Sequence, residues 1–198
     1  MNCCRCPELC DHRTKIVLPD RALRRDGNTL LVIGEAPGAD EDLSGKGFVG
    51  RAGHTLHRLL EARGLQRGYD YGCANILRCR PPGNRKPTRE EIENCLPHLA
   101  ETLVQAKPRA LLLVGATPTA VFCGPGALSV RVQETLHGAT QVALAHERVR
   151  EAIQGVRLFA MPHTSPLAWN RKAPDGSKWS AIGQVVVEEV IEFLRARA

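Results

Sequence analysis

Ala110-Leu111-Leu112-Leu113-Val114 is an unbroken apolar run, the pattern of a strand covered on both faces. Residues 29–33, 71–76 and 156–160 read as further strands, and the intervals between them carry helical spacing. Across 52–63, Leu56, Leu59 and Leu60 share one face, with Gly64 as the stop. Thr88-Arg89-Glu90-Glu91 is a capping box opening a helix toward Gln105. Thr117 and Pro118 offer an N-cap and a first-turn proline for a short helix. Val185, Val186, Val190, Ile191 and Leu194 give the last helix its buried stripe. Strands alternating with helices predict an α/β fold, a parallel sheet with helices on both faces. Residues 124–155 are the least legible, with a helix expected at 146–153 and a strand near 141–144.

The chain has 198 residues and no proline- or serine-rich linker, so a single domain over 1–198 is expected, with a cysteine-rich segment at about 1–14. Lys and Arg number 27 against 21 Asp and Glu, a net charge of +6 that suits an anionic partner without identifying one. The amino terminus shows no apolar signal core, and no stretch approaches the roughly 20 apolar residues of a membrane span. A cytoplasmic, soluble monomer without membrane contact is therefore expected. In that compartment eight cysteines point to metal ligation rather than disulfides.

Open α/β sheets place their chemistry at the carboxyl ends of the strands. There the chain sets Gly34-Glu35-Ala36-Pro37-Gly38, followed by the acidic run Asp40-Glu41-Asp42. This loop lacks the G-x-G-x-x-G of a dinucleotide site, and Pro37 removes a backbone donor. Taken alone, it also fits a solvated acidic turn. Phe48-Val49-Gly50-Arg51-Ala52-Gly53, Asn75 and His163-Thr164-Ser165-Pro166-Leu167 lie in corresponding positions after strands or in the following loops. A parallel sheet gathers all of them at one edge.

These blocks, together with Cys79-Arg80-Pro81-Pro82-Gly83-Asn84-Arg85-Lys86-Pro87, resemble in order and spacing the iron–sulfur (family 4) uracil-DNA glycosylases from about Cys3 to His163. The resemblance implies a three-layer α/β/α sandwich around a four-stranded parallel sheet, a [4Fe–4S] cluster, and hydrolytic removal of uracil from DNA. Carried over by position, it makes Glu35 and His163 catalytic and places Gly34, Ala36, Phe48 and Asn75 around the base. Asparagine can accept from uracil N3–H and donate to O4, whereas cytosine presents the reverse pattern. A mismatch leaves buried polar groups unpaired at about 1–3 kcal/mol each. Phe48 offers a stacking face worth about 1–3 kcal/mol. His163 would donate to uracil O2 while Glu35 faces the sugar. His163-Thr164-Ser165-Pro166-Leu167 carries threonine where family 4 commonly has proline, and is similar instead to the corresponding segment of the family 1 enzymes. That similarity makes Leu167 the candidate wedge into the duplex, with Trp169 able to share the task.

Cys3 and Cys6 form Cys-x2-Cys, and Cys79 and Cys95 form Cys-x15-Cys. Two such pairs can hold a cubane cluster or zinc. The resemblance favours the [4Fe–4S] cluster, with Cys4 and Cys10 competing for the amino-terminal places. Cys73 and Cys123 read as small buried hydrophobes. Arg51, Arg80, Arg85, Lys86, Thr117 and Ser165 are the remaining candidates for DNA contact, and the loop 169–179 adds Arg171, Lys172 and Lys178. The expected function is base excision of uracil. The alternatives are another deaminated or damaged base, or a catalytically weak cluster-bearing module that binds DNA.

Overall fold

A computed structural model describes residues 2–24, 26–138 and 146–196. The strands are β1 (Leu30–Gly34), β2 (Tyr71–Asn75), β3 (Ala110–Val114) and β4 (Arg157–Met161). They form one parallel sheet in the order β2-β1-β3-β4, with Gly34 opposite Asn75 and Val114 opposite Met161 at the carboxyl edge. The expected strand at 141–144 lies outside the described residues.

The side-chain period of two sends alternate strand residues to two separate cores. Leu31, Ile33, Leu111, Leu113 and Leu158 pack against Leu96, Leu99 and Leu103 of α4 (Arg89–Ala106), Phe122 of α5 (Ala116–Cys123) and Val149 of α7 (Glu147–Ala152). Leu30, Val32, Leu112, Val114 and Phe159 face the other way. They meet Leu56 and Leu60 of α3 (Arg51–Glu61), Val132 of α6 (Leu128–Leu136) and the inner face of α9 (Trp179–Arg195). The result is the three-layer α/β/α arrangement that the apolar runs predicted. Short helices α1 (Pro7–His12), α2 (Ala39–Ser44) and α8 (Pro166–Trp169) decorate the carboxyl edge and the amino-terminal segment.

Two expectations about helices are corrected. The N-cap of α5 is Gly115, whose φ of +97 turns the chain straight out of β3, so Thr117 lies inside the first turn. In α9 the stripe runs through Val187, which is fully buried, while Val185 is 49% exposed. The capping box of α4 forms as read: Thr88 Oγ1 accepts from Glu91 N–H at 3.2 Å and Thr88 N–H donates to Glu91 Oε2 at 2.7 Å.

Candidate active site

The loops leaving β1, β2 and β4 meet the carboxyl end of β3 in an open cleft of about 830 Å³, lined by Gly34, Glu35, Ala36, Phe48, Arg51, Asn75, Val114, His163, Ser165 and Leu167, among others. Strand register brings Asn75 beside Gly34, and the pairing continues as Ile76 N–H donates to the Gly34 carbonyl and Leu77 N–H to that of Glu35. A β-carbon on Gly34 would lie 2.4 Å from Asn75 Oδ1 and 2.8 Å from Phe48 Cζ. Only glycine leaves room there for the amide and the ring.

Phe48 has φ +59, a left-handed conformation that costs a non-glycine residue on the order of 1 kcal/mol. Its surroundings hold it there. Glu41 Oε1 accepts from Val49 N–H at 2.9 Å and Gly50 N–H at 2.8 Å, and Oε2 accepts from Gly38 N–H at 3.1 Å. His57 Nε2 reaches the Phe48 carbonyl at 3.0 Å and Nδ1 meets the Tyr71 hydroxyl at 2.8 Å. Burial and the neighbouring Arg67 guanidinium push the His57 pKa down, which keeps that link neutral. Two of the three acids of the run are therefore withdrawn from solvent, while Asp40 is exposed. Glu41 and Asp42 are buried, and Asp42 accepts from the backbone N–H groups of Thr14 and Lys15, so both carboxylates fix loops.

Glu35 Oε2 accepts a hydrogen bond from the Thr117 hydroxyl. Thr117, read as a DNA-contact candidate, does not line the cleft, and its hydroxyl supports the carboxylate. In the same cleft, Ser165 N–H donates to His163 Nδ1 at 3.1 Å. A nitrogen that accepts carries no proton in the neutral ring, so the hydrogen resides on Nε2. Crowding by protein lowers the His163 pKa, and the charge of Glu35 opposes that shift. Thr164, where proline was the expectation, is 2% exposed and donates its hydroxyl to the Ala52 carbonyl at 2.8 Å, tying the His163 segment to the start of α3.

The basic residues divide sharply. Arg51 is exposed on the cleft rim with no ion pair or hydrogen bond from its side chain among the described residues, and Lys86 is exposed likewise. Arg85 also borders the cleft, but its guanidinium pairs with Glu91 at 2.6 and 2.9 Å and with Glu8 at 2.8 Å. Its reading as a phosphate contact therefore has these carboxylates as competitors. Arg80 donates to Asn84 Oδ1 at 2.7 Å and stands outside the cleft lining. Ser165 caps α8, Leu167 is 72% exposed at the rim, and Trp169 packs inward against Gly183. The inward packing withdraws Trp169 as a wedge.

Cys3, Cys6, Cys79 and Cys95 all border one small pocket between α1, the β2 exit and α4. Arg13 donates to Cys79 Sγ at 3.5 Å and Asn94 to Cys6 Sγ at 3.7 Å. Burial raises the Cys6 and Cys79 thiols and lifts Cys95 to about 11, and the neighbouring sulfurs add to each shift. Cys4 and Cys10 are joined as a disulfide, contrary to the expectation of uniformly reduced thiols, and so leave the competition for ligand places. Cys73 and Cys123 are buried, as read.

The family model of the uracil DNA glycosylase superfamily matches residues 24–184, which span the sheet and every loop of the cleft. The chain belongs to the uracil DNA glycosylase superfamily. Within that superfamily it is 43% identical over 114 residues to a type-4 uracil-DNA glycosylase of Pyrobaculum aerophilum, covering 58% of this chain and 56% of that one. It is 45% identical over 86 residues to a type-4 enzyme of Archaeoglobus fulgidus, covering 43% of each. The chain thus spans about half the length of these curated relatives. A type-5 uracil-DNA glycosylase of Pyrobaculum aerophilum is 31% identical over an alignment covering all of this chain and 88% of that one.

Sequence reasoning missed three supports of the superfamily cleft: Glu41, the Thr117 bond to Glu35, and the His57–Tyr71 pair. Only the first left a local signal, since Glu41 stands three residues after Gly38 and accepts from its N–H, the half of a capping box open to a glycine N-cap.

Proposed function

We propose that the cleft receives uracil flipped out of DNA and that Glu35, Asn75 and His163 promote hydrolysis of its N-glycosidic bond. The observation that carries this reading is the hydrogen bond onto His163 Nδ1, which leaves Nε2–H as a neutral donor in the same cleft as Glu35. As the bond breaks, its electron pair moves onto uracil and is stabilised at O2 by that donor. Removing a donor of this kind typically costs about 2.7–4 kcal/mol of barrier. The sugar becomes cationic at C1′, where the Glu35 carboxylate favours the charge and orients the water that adds there. Thr117 holds one carboxylate oxygen and leaves the other to that water. Asn75 reads N3 and O4, Gly34 and Ala36 line the base site, and Phe48 supplies the stacking face.

Arg51 at the cleft rim and Lys86 beyond it grip phosphates without regard to sequence, and Leu167 enters the stack where the base has left. In the same reading Cys3, Cys6, Cys79 and Cys95 hold a [4Fe–4S] cluster. Four cysteines around a shared pocket are a donor set for a [4Fe–4S] cluster, with zinc as the alternative. Bound there, the cluster would tie the amino-terminal segment to Cys79 and Cys95, which flank the loop 80–87, and the hydrolysis would use no redox step.

Competing release assays test the reading with oligonucleotides that carry uracil, hypoxanthine or xanthine. Preferential release of uracil is the expected result. Release of a purine in its place would overturn the role given to Asn75. DNA binding without release of any base would favour a binding module.

A further inference from the structure

Between the end of β4 at Met161 and the start of α9 at Trp179 the chain stays at the carboxyl edge of the sheet, beside the cleft. The ring of Trp169 presses on Gly183, where a β-carbon would lie 2.4 Å from it, so α8 is pinned to α9 and Leu167 is turned outward. Residues 171–178 then form a hairpin held by its own backbone. Trp179 N–H donates to the Arg171 carbonyl at 3.0 Å and Ala173 N–H to that of Ser177 at 2.7 Å. Gly176 turns the tip with φ +85, and the Asp175 carboxylate accepts from Ser177 N–H at 2.9 Å.

Lys172 and Lys178 are antiparallel partners across this hairpin. Like charges directly opposite one another destabilise a strand pair. Both side chains, and that of Arg171, are exposed and make no ion pair or hydrogen bond among the described residues. The acid of the segment, Asp175, is engaged by the backbone at the tip. A hydrogen-bonded loop that sets three unpaired cations against one acid, close in sequence to an exposed leucine, has the net positive charge of a polyanion-binding surface.

We propose that the 171–178 hairpin is a second phosphate grip that holds the duplex flank next to Leu167, with Arg171, Lys172 and Lys178 as its contacts. Phosphates between the two lysines remove their mutual repulsion, so the hairpin and the bound backbone stabilise each other. The proposal rests on the glycosylase reading and extends its DNA contacts beyond the cleft.

The test is fluorescence anisotropy with a duplex carrying a tetrahydrofuran abasic analogue, measured across a salt series. For the triple variant Arg171→Gln, Lys172→Gln, Lys178→Gln, the slope of log affinity against log salt should fall by about 2–3, near 0.9 for each lost contact. Lys178→Glu faces Lys172 with an opposite charge, so its slope should fall while its Tm does not. A wild type that binds steeply while both variants keep its slope overturns the role of the hairpin alone. A folded wild type that binds no such duplex overturns the glycosylase reading and this proposal with it.

Discussion

Thr164→Val removes one hydroxyl from a buried site and changes the shape of the side chain little. The lost bond to the Ala52 carbonyl, 2.8 Å long, should cost about 1 kcal/mol of stability. For a domain of this size that lowers Tm by roughly 2–4 °C. The catalytic effect should be larger. Thr164 stands between His163 and Ser165, whose backbone N–H fixes the imidazole, so a loosened segment moves the donor itself. A misplacement of about 1 Å typically costs on the order of 100-fold in rate. At about 1.36 kcal/mol per tenfold, that is roughly 2.7 kcal/mol of barrier, well above the loss of stability. Single-turnover excision from a uracil oligonucleotide, beside thermal melts, should show kcat falling with KM little changed. Thr164→Ser, which restores the hydroxyl, should recover most of the rate. Wild-type excision by Thr164→Val, or equal impairment of Thr164→Ser, would refute the positioning role.

Glu41→Ala strands three backbone donors, Gly38, Val49 and Gly50, and should cost about 3 kcal/mol, a fall in Tm of roughly 6–12 °C, together with loss of activity as Phe48 is freed. A melt within 2 °C of wild type, on the order of ordinary surface substitutions, would contradict the anchoring role. His57 and His98 have pKa values pushed below the usual value of about 6.5 by burial. The unfolded chain therefore takes up protons first, so stability present above pH ~6.5 should be lost as pH falls toward the folded-state values. Melts at three pH values across that window check the sign, and a rising Tm on acidification would contradict it. Cys79→Ser and Cys95→Ser should lose bound iron and the accompanying visible absorbance, while Cys123→Ser, a buried core position, should keep both. Iron analysis of the purified proteins decides between them, and undiminished iron in the first two would remove those ligands.

The sheet was legible because each strand is covered on both faces, so local apolarity alone marks it, and the parallel connection then fixes which loops share an edge. Glu35, Phe48, Asn75 and His163 could be placed in one cleft on that basis. Partners distant in sequence left no comparable signal. Nothing near Asp42 announces that it binds the backbone of Thr14, and nothing near Arg85 announces Glu8, so one looked solvated and the other free. Thr117 has a cap-forming side chain, yet Gly115 takes the cap through its backbone conformation and the hydroxyl turns to Glu35. Helix α6 escaped notice because its apolar stripe is short and Thr135 is among its buried residues.

The central claim is that Glu35, Asn75 and His163 act together on uracil in DNA. The most direct measurement is single-turnover excision on an oligonucleotide with one uracil, read as alkaline cleavage of the abasic site, for wild type, Glu35→Gln, Asn75→Ala and His163→Ala. The account predicts cleavage at the uracil by the wild type and a large loss of rate in each variant. Folded, iron-loaded wild-type protein that leaves the uracil in place, or three variants that excise it at the wild-type rate, would contradict it.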